Sequence, residues 1–199
     1  MKKLELNLKN IKESDINLIV AYLKKGRVVV LPTDTVYGLH GDATNNRVIK
    51  KINKLKKREG QSPLLILVNG LAMTKKYCYL NKEQTKALDK FWGLKSRPTS
   101  VILKSKGKLP KELTAGLDSV GIRLPKGDFL TTIIDRVGVP IISTSLNISG
   151  EKPLIGVKGL GQYFRGAKPD LAVDAEKIKG APSRIIDLRS INDIRILRS

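Results

Sequence analysis

Three short polar segments carry side chains that could do chemistry, and each follows an apolar run. LPTDTVYGL at 31–39 crowds the hydroxyls of Thr33, Thr35 and Tyr37, the Asp34 carboxylate and a flexible Gly38 into one turn. Hydroxyls on a strand-end loop can orient a small polar molecule by directional hydrogen bonds; threonines satisfying their own turn backbone give the same pattern. The second segment, Lys56-Lys57-Arg58, ends a helical stretch whose exposed face also holds Lys50, Lys51 and Lys54. Lys56 and Arg58 diverge on a regular helix but converge on one anion where the helix frays. There arginine grips phosphate oxygens in bidentate fashion and lysine adds a mobile point charge. A solvated basic face complementing the helix C-terminus explains the same residues. The third segment, ISTSLNISG at 142–150, opens into four hydroxyls and the Asn147 amide before Gly150. Free N–H groups beside Ser and Asn side chains suit a phosphate or a ribose, and a polar loop capping a helix is the plainer alternative.

Other chemistries are excluded. The chain has no GxxxxGK[ST], no GxGxxG and no cluster with metal-ligand spacing. His40 is the only histidine, and nothing near it completes a Ser-His-Asp triad. Cys78, the single cysteine, rules out an internal disulfide and a Cys-rich metal site. Both residues read as structural.

The elements that must position these segments follow from periodicity. An amphipathic helix is predicted over 15–25, with Ser14 as its cap and Gly26 just past its end. A β-branched run at 27–31 reads as a buried strand, 46–57 as a helix with Val48, Ile49, Ile52 and Leu55 on one face, and 64–68 as an apolar strand. Further helices are expected at 82–92 and 129–137, and strands at 100–104, 120–124, 140–143, 171–173, 184–188 and 194–197. Helices mixed with strands throughout indicate an α/β domain with a mixed rather than purely parallel sheet.

At 199 residues, 41% of them hydrophobic, the chain can bury a core as one domain, with few aromatics to help. No run approaches the roughly 20 apolar residues of a membrane span. The two N-terminal lysines precede no apolar stretch, so no signal peptide is read and the cytoplasm is the expected compartment. The net charge of +20 predicts attraction to polyanions, tRNA among them. Lysine outnumbers arginine 27 to 11, and a lysine-rich composition alone would raise the charge without a specific ligand.

In combination the segments become specific. PTDTVYGL, then KxR with Pro63 five residues after the arginine, then VGIRLP, then STSLNISG, in this order, resembles the Sua5/YciO/YrdC family over about 14–198. The resemblance implies one open, twisted mixed sheet with flanking helices around a basic cleft. It also implies the short form over 1–199, without an appended C-terminal domain. It implies synthesis of threonylcarbamoyl-AMP from L-threonine, bicarbonate or CO2 and ATP, for the t6A modification of tRNA. Mg²⁺ is expected through the phosphates, tRNA as a contact, and downstream threonylcarbamoyl-transfer proteins as partners. By motif, Lys56, Arg58, Ser145 and Asn147 match the catalytic set around the phosphates, and Ser62, Ser100 and Arg198 nucleotide-binding positions. Thr33, Thr35, Tyr37, Arg123, Ser145 and Ser183 match the threonine side.

Departures accompany the match. FWPGPLT is stretched to FWGLKSRPTS at 91–100 with Ser100 replacing the usual threonine, Leu146 interrupts STSAN, and Leu67 stands where some members carry histidine. Arg184 replaces a small hydroxyl, and Glu59 the proline after KxR. The competing readings are a YciO-like paralogue of different activity and a non-catalytic tRNA- or dsRNA-binding protein. Carbamoyl transfer in hydrogenase maturation is the remotest, since its domains sit inside much larger proteins.

Overall fold

A computed structural model describes residues 1–58, 62–178 and 180–199. Ten strands form one mixed sheet: β1 (Lys2–Glu5), β2 (Val29–Leu31), β3 (Gly38–Asp42), β4 (Leu65–Leu67), β5 (Thr99–Lys104), β6 (Ser119–Arg123), β7 (Ile141–Ser145), β8 (Leu171–Asp174), β9 (Arg184–Asp187) and β10 (Arg195–Arg198). Their spatial order is β1-β8-β2-β3-β7-β4-β6-β5-β9-β10. Helices α1 (Glu13–Lys24), α2 (Asn46–Leu55), α3 (Leu71–Tyr77), α4 (Lys82–Trp92), α5 (Lys111–Thr114), α6 (Asp128–Val137) and α7 (Leu160–Tyr163) complete the described elements.

Two cores flank the sheet, and β2 shows why. Val28 and Val30 join one core while Val29 and Leu31 join the other, all without solvent exposure. A strand covered on both faces needs apolar side chains at consecutive positions, so it reads as a continuous run. On one face α1 packs with α6, through Ile16, Ile19 and Leu23 against Leu130, Ile133 and Ile134. On the other, α2 contributes Val48, Ile49, Ile52 and Leu55, and α4 contributes Leu88 and Trp92. Each such side chain taken from water contributes about 1.5–3 kcal/mol.

The sheet is not covered evenly. Ile142, Ile66, Ile122, Val101 and Ile186 follow one another across β7, β4, β6, β5 and β9, and Leu39, on the same face of β3 and paired with Thr144, joins them in the α2/α4 core. Their neighbours one position away point to the opposite face. There Leu67 and Ile141 still meet the α1/α6 core, but Gly38, Ser143, Ser145, Leu65, Arg123 and Ile185 line an open cavity. The polar segments are thus the parts of central strands that helices leave bare.

The helices expected at 82–92 and 129–137 appear as α4 and α6, the latter one residue longer. Ser14 does not cap α1: Lys12 takes that position without a side-chain bond, and Ser14 lies within the first turn. Gly26 does follow the helix, at φ +65°. The turn at 31–39 proves shorter than read, because Gly38 onward enters β3 and pairs with both β2 and β7.

Gly41 marks where α2 rests on β3, since a Cβ there would sit 2.3 Å from Val48 Cγ1. Gly41→Ala is expected to cost about 1–3 kcal/mol in urea unfolding by overpacking. Gly121→Ala, whose Cβ would meet Leu65 at an ordinary 3.7 Å, should leave stability near wild type.

Candidate active site

Helix α2 begins on Asn45, whose side chain accepts from Arg47 N, and its last apolar residue is the buried Leu55. Lys56 closes the helix, and Lys57 then takes a left-handed conformation at φ +46°. That reversal answers the spacing problem: Lys56 and Arg58, divergent on a continuing helix, both line the same cavity.

Lys56 is 2% exposed, and its ammonium donates to Asn147 Oδ1 (2.6 Å) and Ser145 O (2.9 Å). Ser145 Oγ donates to the same Asn147 Oδ1 (2.6 Å), and Asn147 Nδ2 donates to Glu151 O (2.6 Å). The main chain repeats the tie, as Ser149 N donates to Lys56 O at 2.9 Å. Burial, with Arg58 nearby, lowers the Lys56 pKa to about 8. Burial also lowers that of Arg58, whose Nη1 donates to Ser62 O at 3.3 Å.

Across the cavity, Arg123 is 3% exposed and pairs with Asp34 at 3.2 Å. Its Nη1 also donates to Thr35 Oγ1 (3.3 Å), which lies 2.8 Å from Thr33 Oγ1. Thr33 Oγ1 in turn receives the amides of Thr35 and Val36, so the turn residues organise each other as well as facing the cavity. Burial pushes the Arg123 pKa down, the Asp34 carboxylate opposes that, and Arg198 adds to it.

Strand β10 supplies the third wall. Arg198 clamps Ser183 O through Nε (2.9 Å) and Nη2 (2.7 Å), and Ser183 Oγ lies 2.8 Å from the buried Ser100 Oγ. The cavity, about 430 Å³, is lined by Lys56, Arg58, Arg123 and Arg198, with an apolar strip at Pro63, Leu64, Leu65, Pro182 and Ile185. No carboxylate is among its described lining residues. Four cations line one cavity, and Arg123 alone of them pairs with a carboxylate among the described residues, which favours a ligand carrying several negative charges.

Of the residues expected from sequence, Thr33, Thr35, Tyr37, Lys56, Arg58, Arg123, Ser145, Asn147, Ser183 and Arg198 border the cavity. Ser62 and Ser100 do not: Ser62 offers its carbonyl to Arg58, and Ser100 stands behind Ser183. Tyr37 borders it with its ring fully buried and its hydroxyl taken up by Ala175 N (2.9 Å) and Glu176 O (3.4 Å). The apolar strip was missed, since Pro and Leu announce no chemistry. Asp34 was seen in the turn, but its pairing with Arg123 was not, because 89 positions separate them.

The departures find places too. Leu67 lies in the α1/α6 core and Leu146 in the α2/α4 core, so neither enters the cavity. Arg184 lies over the Phe91 ring at 5.6 Å and reaches Thr99 Oγ1 at 3.3 Å, away from the lining residues. Glu59 falls outside the described residues. His40 Nδ1 donates to Ile142 O at 3.1 Å, and burial, with Arg123 nearby, lowers its pKa to about 3. Burial raises the Cys78 thiol to about 12. Neither is poised as a base or nucleophile at neutral pH.

Residues 21–199 match the Sua5/YciO/YrdC family profile, whose description is "Telomere recombination". A Methanocaldococcus jannaschii protein, provisionally named a threonylcarbamoyl-AMP synthase, is 30% identical over 201 residues, 98% of this chain and 93% of that one. The crystal structure of Pyrococcus abyssi Sua5 complexed with L-threonine superposes with a TM-score of 0.88 at 26% identity, covering 100% of this chain and 57% of that one. Escherichia coli YciO has the same fold, with a TM-score of 0.86 at 20% identity over 100% of this chain and 96% of that one. With a profile match over nearly the whole chain and the cavity built from the motifs that led to it, the chain belongs to the Sua5/YciO/YrdC family.

Proposed function

We propose that this chain is an L-threonylcarbamoyladenylate synthase, a nucleotidyltransferase joining L-threonine, CO2 or bicarbonate, and ATP. The observation that carries this reading is that one cavity is lined by two separate clusters of cations and hydroxyl or amide groups. Lys56, Arg58, Ser145 and Asn147 form one side, and Arg123 with Thr33 and Thr35 forms the other. Relatives named for this activity, and the threonine complex of Pyrococcus abyssi Sua5, support the assignment.

Arg123 receives the threonine carboxylate, and the Thr33 and Thr35 hydroxyls orient the amino acid. The neutral threonine amine adds to CO2 and gives up a proton to solvent, forming a carbamate. A carbamate oxygen attacks the α-phosphorus, the bond to the bridging oxygen breaks, and pyrophosphate leaves with the electron pair. Anions crowd together in that step, so fixed cations and N–H donors lower its barrier. Lys56 and Arg58 hold the phosphates, and Ser145 and Asn147 orient the lysine. The apolar strip at Pro63, Leu65 and Ile185 offers a surface for the adenine ring, and Arg198 with Ser183 closes that end. No group of three or more metal-ligating side chains occurs among the described residues, and the cavity lining is cationic. These residues fit Mg²⁺ carried on phosphate oxygens, where it would neutralise developing charge. The product is a mixed anhydride, to be consumed by proteins that transfer its acyl group to tRNA. No helix among the described residues is long and apolar enough to cross a membrane.

Pyrophosphate release from ATP and bicarbonate, measured with and without L-threonine, tests the assignment. Wild type should release it only with threonine, and Arg58→Ala should lower the rate about 10²–10³-fold. Threonine-independent release, or none from folded protein with Mg²⁺, would instead favour a YciO-like or RNA-binding role.

Lys56 adds a pH signature. Its ammonium must be charged to hold phosphate, so ATP affinity should fall as pH rises through about 8. Its folded pKa lies below the unfolded 10.5, so stability of the ligand-free protein should gain from this group over that interval. Titration calorimetry and urea unfolding at several pH values should move in opposite directions, and Lys56→Met should abolish this component of both trends.

A further inference from the structure

The stretched segment after α4 is tied to the cavity through one side chain. Lys126, in the loop between β6 and α6, donates from Nζ to Trp92 O (3.0 Å), Ser96 Oγ (2.9 Å) and, more closely still, Gly93 O. An ammonium has three protons, and here three acceptors take them. Ser96 folds the segment onto itself, its N–H donating to Gly93 O at 2.9 Å and its single hydroxyl proton shared between Phe91 O (2.5 Å) and Gly93 O (2.8 Å). Two of the lysine's acceptors are carbonyls at the C-terminus of α4, where a cation is favoured by the helix dipole.

A helix cap alone would need no tie to the active site, but Lys126 has one. Its backbone N–H donates to Asp34 Oδ2 at 3.2 Å, while Asp34 Oδ1 pairs with Arg123. The segment's far end is fixed as well: Arg184 N donates to Pro98 O (2.9 Å), beside the Ser183 that Arg198 clamps. Between these anchors Leu94 is 95% exposed.

We infer that Lys126 is a positioning residue: its ammonium, anchored on the segment at 93–98, fixes the main chain whose N–H holds Asp34, and so sets the direction of Arg123, which receives the amino-acid carboxylate. The inference rests on the synthase reading for its kinetic consequence but not for its structural one. With the ammonium removed, the main chain at Lys126 loses its anchor and its N–H no longer holds Asp34 in one place. Arg123 then keeps its charge but loses its fixed direction. Amino-acid capture suffers, while the phosphate side, built from α2 and β7, is untouched.

Two measurements on Lys126→Met, Lys126→Arg and Ser96→Ala decide it. Hydrogen exchange on the ligand-free protein should show the peptides covering 32–37 and 93–98 exchanging faster together in Lys126→Met and close to wild type in Lys126→Arg. Unchanged exchange at 32–37 would overturn the inference whatever the enzyme does. In the pyrophosphate assay, Lys126→Met should raise the KM for L-threonine about tenfold, with kcat and the KM for ATP within about twofold of wild type. Ser96→Ala, which removes one acceptor, should shift the same KM less, and it decides the matter if Lys126→Met does not fold. Leu94→Ser at the exposed tip should change neither. Equal loss in kcat and both KM values, or an unchanged threonine KM, would contradict the positioning role. A wild type without threonine-dependent turnover would defeat the synthase reading, and the exchange result would still decide the coupling.

Discussion

A buried ammonium held by an amide oxygen and a main-chain carbonyl organises this molecule. Lys56 joins the end of α2 to the loop after β7, two pieces of chain 89 and 91 residues apart in the contacts they make. An unpaired charge at that depth would cost several kcal/mol, so the Ser145–Asn147 loop must take the shape that satisfies it. That shape in turn brings Ser149 N onto Lys56 O and leaves Ser145 and Asn147 at the cavity wall. The same burial that weakens the proton's hold makes the cation strong toward a ligand, because little water screens it.

The second dependence is on incomplete coverage. A sheet with helices on both faces has no room for a ligand, and this one makes room by shortening the cover on one face. Alternation then does the rest. The strands that send Leu39, Ile142 and Ile122 into the α2/α4 core present Gly38, Ser143 and Arg123 one position away. Gly38 is needed there, because a Cβ would stand 2.7 Å from His40 Nε2 and 3.1 Å from Thr144 O. His40, kept neutral by burial, supports the floor of the cavity rather than acting in it.

Much of this was legible because it rests on local rules. The apolar face of α2 and the doubly buried run of β2 are visible as periodicity, and the KxR and STSLN motifs can be read from their residues. What escaped depends on distant partners. β3, with the sequence GLHGD, has no β-branched residue and two glycines, and it is a strand because β2 and β7 both pair with it. The four-residue α5 and α7 are too short to show a period. Ser14 has the composition of a cap, but α1 starts before it. Tyr37 reads like a ligand-facing hydroxyl until Ala175 N, far along the chain, is found to occupy it. Arg123 was legible as a cation, whereas the carboxylate that aims it was not.

Joining a carbamate to an α-phosphate within one cavity is the step on which the proposed activity turns. Phosphorus NMR of a reaction containing ATP, L-threonine and ¹³C-bicarbonate tests it most directly. Pyrophosphate should appear together with a new adenylate resonance, only with threonine and coupled to the labelled carbonyl carbon. Release of ADP and inorganic phosphate, or an adenylate that forms without threonine or without the label, would contradict it.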